Sequence, residues 1–94
     1  MKILWTVPAR SDLREAFDYI QARNPHAATA LLARIERSVE SLADQPRRGR
    51  PGRIAATREL VMTDTPYIVP YRIKGETIQV LRVWHTARRW PEML

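Results

Sequence analysis

The sequence predicts an α+β fold: an N-terminal strand and a two-helix antiparallel hairpin packed on a small, mainly antiparallel twisted sheet. Three observations predict it. Apolar residues recur at helical spacing twice between residues 9 and 44. Runs of β-branched and aromatic residues, separated by turn residues, fill residues 58–85. The chain has 94 residues, which sustains one core, so residues 1–94 form a single domain.

Residues 2–7 read as a strand, with Ile3, Trp5 and Val7 as its apolar set. Pro8 ends it and suits the first turn of a helix. Leu13, Ala16, Phe17 and Ile20 then recur at i, i+3, i+4 and i+7, which predicts a helix over residues 9–22. Arg10, Asp12, Arg14, Glu15 and Asp18 fill its other face. Asn24-Pro25 supplies an N-cap and a first-position proline for a second helix. Its stripe of Ala28, Leu31, Leu32, Ile35, Val39 and Leu42 carries it to about residue 44. Glu36 and Glu40 lie on the outer side. The short joint makes the two helices a hairpin.

Residues 45–57 change character. Pro46, Gly49, Pro51 and Gly52 interleave with Arg47, Arg48, Arg50 and Arg53, which predicts a basic surface loop without regular structure. Strands are expected at residues 58–63, 67–73 and 77–85, with a hairpin turn at Lys74-Gly75-Glu76. Pro70 cannot donate a ladder hydrogen bond, so an edge position or a bulge is expected there. Residues 86–94 form a basic, aromatic tail with Arg88, Arg89 and Trp90. The helical stripe covers one sheet face and nothing in this pattern covers the other. A thin domain with a half-open sheet implies a protein partner.

The net charge is +6, and 14 of the 16 basic residues are arginine. Such a surface attracts nucleic acid, acidic protein or anionic membrane without choosing among them. The absence of cysteine excludes disulfides, thiolate metal sites and a thiol nucleophile. His26 and His85 stand far apart with no carboxylate cluster, so no metal and no cofactor are expected. No glycine pattern matches a phosphate cradle. The apolar start is too short for a signal peptide or a membrane span. Together with the missing cysteines this favours the cytoplasm, with no membrane partner.

His85 closes the last expected strand beside Trp84. It is either a proton shuttle or a histidine packed on the strand end. Arg58, Arg72 and Arg82 on strands either bind phosphate through their planar forks or pair with Glu59 or Glu76. The structural role is favoured for Arg72. Trp84 and Trp90 flanking Arg88 and Arg89 suit single-stranded nucleic acid, a protein hot spot or a folded-back tail.

Several segments, taken in order, resemble the RelE/ParE superfamily of bacterial toxins from type II toxin–antitoxin pairs. They are the opening strand, Ser11-Asp12-Leu13, and Leu42-Ala43-Asp44-Gln45-Pro46 before Gly49. Arg58-Glu59-Leu60, Tyr67-Ile68-Val69-Pro70-Tyr71-Arg72 and Val80-Leu81-Arg82-Val83-Trp84-His85 followed by Arg88-Arg89 complete the set. The resemblance covers nearly the whole chain. It implies an acidic or amphipathic antitoxin wrapped around this chain, and operator DNA bound only through that complex. It identifies no antitoxin-binding residues.

The superfamily divides by target. RelE-type members resemble ribonucleases that cut messenger RNA in the ribosomal A site, which needs cations for the phosphorane and an acid–base group. ParE-type members are associated with DNA gyrase inhibition. This chain has Ile68 after Tyr67 where RelE-type members tend to carry Arg. It has Glu59, Leu60, Val61 and Met62 after Arg58 where they often alternate cations. It has Thr86 after His85, and Trp90 rather than Tyr. The resemblance therefore favours a ParE-like gyrase inhibitor, with His85, Arg88, Arg89 and Trp90 contacting the target. The alternative is a ribosome-dependent endoribonuclease with His85 as acid or base and Arg58 and Arg82 on phosphate. A third reading is a basic binding module or DNA-binding co-repressor without toxicity.

Overall fold

Thr6 ends the first strand and starts the first helix. In the computed structural model, which describes residues 1–87, β1 spans Lys2–Trp5 and α1 spans Val7–Gln21. The Thr6 hydroxyl accepts the Ala9 N–H at 3.3 Å and donates to the Val80 carbonyl at 2.8 Å. One side chain thus satisfies an orphan helix donor and ties the helix start to the sheet. The cap is why β1 is shorter than residues 2–7: the Thr6 N–H still donates to the Val80 carbonyl at 3.1 Å, but its side chain caps the helix and Val7 joins it. Helix α2 spans Pro25–Glu40, capped by Asn24, whose side chain accepts the Ala27 N–H at 3.1 Å. A 3₁₀ turn at Ser41–Ala43 carries the stripe on to Leu42, so the regular helix stops short of residue 44.

The remaining strands are β2 at Arg50–Pro51, β3 at Arg58–Val61, β4 at Tyr67–Lys74, β5 at Thr77–Val80 and β6 at Trp84–His85. The sheet order is β1-β5-β4-β3-β2, with β6 also pairing β4. β1 runs parallel to β5 and every other pair is antiparallel. On one face Leu60, Met62, Val69, Tyr71, Ile78 and Val80 pack against Ala9, Ala16, Ile35, Val39 and Leu42 of the helical layer. This is the expected α+β architecture.

Three expectations are corrected or narrowed. The basic loop is not wholly irregular: Arg50 and Pro51 pair with Glu59 and Arg58 and form an edge. Pro70 lies in a central strand, not at an edge, because β3 lies on one side of β4 and β5 and β6 on the other. It is accommodated by a bulge, the other expected solution. The Pro70 carbonyl accepts from both Leu81 N–H at 2.9 Å and Arg82 N–H at 3.4 Å. Two residues oppose one, and the expected strand over residues 77–85 breaks into β5 and β6.

The third correction concerns the face turned away from the helices. Glu59, Ile68, Pro70 and Trp84 on that side are buried. Around Glu59 the cover is the basic loop itself, which folds over the strand to reach the carboxylate. Polar Arg72 and Lys74 take the exposed positions. The sheet is therefore not bare around Glu59, where the basic loop, through its short strand β2 and the Arg53 N–H, reaches the carboxylate.

Loop and sheet are also joined on the helical side. The buried Tyr71 hydroxyl accepts the Gly49 N–H at 2.9 Å and donates to the Pro46 carbonyl at 2.7 Å. Only glycine fits at 49, since a Cβ there would lie 2.6 Å from the Tyr71 ring and hydroxyl. Burial pushes the Tyr71 phenol above its ordinary value of 10.0. A raised value means the stabilisation is complete below about pH 10 and declines as pH climbs through the folded-state value. Tyr71→Phe should cost about 1–3 kcal/mol in urea unfolding, because two buried groups lose their partner. It should also flatten the loss of stability that the wild-type chain shows in alkali above pH 10.0.

Candidate functional site

Asp12 is the organising residue of the site, and it sits where α1 crosses the broken strand. β1 has ended at Trp5, so beyond Val80, among the described residues, no strand pairs with the outer edge of the bulge and β6. The Val83 N–H points to that edge and donates to Asp12 Oδ2 at 3.0 Å. The Arg82 guanidinium takes both oxygens, Nε to Oδ2 at 2.7 Å and Nη2 to Oδ1 at 2.9 Å. Asp12 is 7% exposed, so this is a largely desolvated, bidentate ion pair. The hydrogen bond to Asp12 is also the main cause that raises the Arg82 pKa. The same guanidinium lies 4.9 Å over the Trp84 ring, an attractive cation–π geometry.

Asp12 does not belong with the solvated charges of α1, where the amphipathic pattern puts it. The signal was present in the spacing: Ala9, Asp12, Leu13 and Ala16 follow i, i+3, i+4 and i+7, and Ala9 and Ala16 are buried. Two alanines make the stripe look weak, and a carboxylate on a core stripe reads as polar surface unless its partner is known.

His85 is exposed at the end of β6 and stands edge-on to the Tyr67 ring, centroids 5.4 Å apart at 80°. Its Nδ1 accepts the Ala87 N–H at 3.1 Å, which leaves Nε2 as the nitrogen that faces outward. A cleft of about 340 Å³ lies beside it, bounded by Asp12, Glu15, Tyr19, Tyr67, Val83 and His85. His26 sits in the first turn of α2 and is exposed.

Among the described residues, no arginine or lysine bounds this cleft. Arg58 donates through Nη1 to the Gly49 carbonyl at 2.6 Å and the Arg47 carbonyl at 3.4 Å. Arg58 pairs with Tyr71 and His85 with Tyr67, on opposite sides of β4. Four residues along a strand and two strand spacings put their Cα atoms about 16 Å apart. Arg82 is held by Asp12, and Arg72 bonds Gln79 across β4 and β5 at 2.6 Å. Arg88, Arg89 and Trp90 lie outside the described residues. Among the described residues no group of His, Asp or Glu could hold a metal ion, and no helix is long and apolar enough to cross a membrane.

A second, larger cleft of about 720 Å³ lies against the helical layer. Trp5, Leu13, Phe17 and Leu32 form its apolar floor, with Arg10 and Glu36 at its rim.

The family described as the ParE toxin of the type II toxin–antitoxin system parDE matches residues 3–90. A putative toxin, Y4kP of Sinorhizobium fredii, is 46% identical over 93 residues, 99% of this chain and 96% of that protein. Toxin RelE2 of Caulobacter vibrioides is 36% identical over 87 residues, 93% of this chain and 97% of that protein. Among solved structures, the chromosomal ParDE system of P. aeruginosa matches with a TM-score of 0.82 at 30% identity, covering 88% of this chain and 92% of that one. The RelBE2 toxin–antitoxin complex of Mycobacterium tuberculosis matches at 0.64 and 28% identity, covering 89% and 95%.

Removing the Asp12 carboxylate strands a guanidinium and a backbone N–H together. Asp12→Ala should lower stability by about 2–4 kcal/mol. Asp12→Asn should lose less, since its amide oxygen still accepts from Val83. Chemical denaturation measures both, and an unchanged midpoint in Asp12→Ala would contradict the clamp.

Proposed function

The chain belongs to the ParE toxin family of type II toxin–antitoxin systems, and we propose that it arrests growth by binding DNA gyrase and is silenced by a cognate antitoxin. The observation that carries this reading is the ParE match across residues 3–90. The spread of the cations supports it. A ribonuclease must gather positive charge around one phosphate, whereas here Arg82 neutralises Asp12 and Arg58 is about 16 Å from His85 by strand geometry. Binding needs no such convergence. An exposed His85 at the end of β6, leading into Arg88, Arg89 and Trp90, suits a contact surface in which arginine and tryptophan are the usual anchors. The antitoxin follows from relatives solved as toxin–antitoxin systems.

A RelE-like ribosome-dependent endoribonuclease is the second reading. The outward Nε2 of His85 beside Tyr67 favours it, as does the RelE name of the Caulobacter relatives. On that reading His85 is the acid or base and Arg58 and Arg82 would have to move onto the phosphate.

Purified chain in a gyrase supercoiling assay separates the two. Inhibition at micromolar toxin with translation untouched is expected. Blocked translation with supercoiling intact would instead support the ribonuclease. Replacing Arg88 and Arg89 with Glu should weaken supercoiling inhibition at least about thirty-fold, the effect of losing one binding hot spot. The unfolding midpoint should not change. His85→Ala should reduce inhibition by less and leave the pH profile of inhibition flat, because no proton transfer is involved.

A further inference from the structure

The basic loop has a pattern of charge that the contact surface at β6 does not use. Arg47, Arg48, Arg50, Arg53 and Arg58 fall within twelve residues that hold no carboxylate, with Asp44 and Glu59 flanking them. Glu59 is buried, and it fixes the loop rather than cancelling its surface. It accepts from Arg50 Nε at 3.0 Å and from the Arg53 backbone N–H at 3.0 Å. Both guanidinium groups stay more than half exposed. Arg48 bonds the Ser41 hydroxyl at the end of α2. Arg58 spends one nitrogen on loop carbonyls and keeps Nε and Nη2 for other partners. Among the described residues, no hydrogen bond or ion pair holds the Arg47 side chain. Arg47 and Arg58 line a cleft of about 370 Å³ with Pro51, Ala56, Thr57 and Ile73.

We infer that this loop and cleft grip the phosphate backbone of duplex DNA without reading its sequence. Guanidinium forks anchored at several points match phosphate oxygens with little ordering cost on binding. The composition of the patch selects among polyanions. The large exposed apolar residues among the described residues are Met1, Leu4, Val7, Tyr19 and Val61, none of them within residues 45–60. Among the described residues, the aromatic side chain that meets the loop, Tyr71, is fully buried beneath it. Single strands are held largely by stacking on exposed aromatics, and protein partners by aromatic and apolar anchors. This surface offers neither, while the apolar anchors lie apart in the cleft floored by Trp5, Leu13 and Phe17. What it offers is fixed positive charge, the chemistry of backbone contact with a duplex. The choice of DNA over double-stranded RNA rests on the gyrase reading, since gyrase holds duplex DNA across its surface. The loop would then contact that DNA while the end of β6 contacts protein.

The test is fluorescence anisotropy of the full chain with a short mixed-sequence DNA duplex, a single-stranded RNA of equal length, and an acidic peptide. Duplex binding should weaken roughly forty-fold between about 50 and about 200 mM salt, as three neutralised phosphates require. Arg47→Gln removes a side chain with no hydrogen-bond or ion-pair partner among the described residues, so it should not affect folding, and it should lower the salt exponent by about one. Arg37→Gln, on the exposed side of α2, should leave the exponent unchanged. The inference is overturned if the duplex does not bind at low salt. It is equally overturned if Arg47→Gln leaves the salt exponent intact, or if the RNA strand or acidic peptide binds as tightly as the duplex. Supercoiling assays run alongside keep the two proposals separate. Gyrase inhibition without duplex binding sinks this inference alone, and duplex binding without gyrase inhibition sinks the gyrase reading alone.

Discussion

The missing N–H of Pro70 constrains much of the sheet. A proline in a central strand leaves its neighbour without a donor, and the chain absorbs the mismatch by placing Leu81 and Arg82 opposite one carbonyl. The bulge separates β5 from β6 and leaves the Val83 N–H facing away from β4. An unpaired edge donor in a partly buried place is costly. Asp12 resolves it by reaching from α1 to take that N–H, and its charge is in turn balanced by Arg82. Proline, bulge, edge and clamp form one causal chain, and it fixes how the helical layer sits over the end of the sheet where His85 emerges.

The same clamp shapes the chemistry available. Arg82 reads as either a phosphate ligand or a structural ion-pair partner when only its strand position is considered. With both Asp12 oxygens on its fork it is a structural cation, and releasing it would leave a buried carboxylate with the full cost of an unpaired charge. The cationic groups of the chain are therefore divided by task. One joins helix to strand, Arg50 and Arg53 hold the loop on Glu59, and Arg34 meets Asp64 across the surface at 2.9 Å. A ribonuclease centre draws its charge to one point. This molecule spreads its charge over a rim, which suits docking on large partners.

Most of the architecture was legible because it follows from local periodicity. The cap at Asn24, the stripe from Ala28 to Leu42 and the turn at Gly75 all follow rules that act within a few residues. Pro70 announced either an edge or a bulge, and only the strand order distinguishes them. Contacts distant in sequence were not legible. Asp12 and Val83 are joined across the whole fold, and nothing near either residue names the other. The cover over Glu59 and the pairing of Arg50 with Glu59 were hidden for the same reason: a loop rich in proline and glycine carries no periodicity to show which surface it will fold onto. At the site, His85 was legible from its place at a strand end, while the nearby clamp of Asp12 on Arg82 and Val83 was not.

Family membership, the rim of positive charge and the exposed end of β6 together support the reading of this chain as a toxin directed at gyrase. The most direct measurement is made in living cells: induced expression in a bacterial host, followed in parallel by a DNA-damage reporter and by incorporation of labelled amino acid. The account predicts growth arrest with early reporter activation while protein synthesis continues, and relief when the cognate antitoxin is co-expressed. Immediate collapse of protein synthesis with a silent reporter, or unimpeded growth, would contradict it.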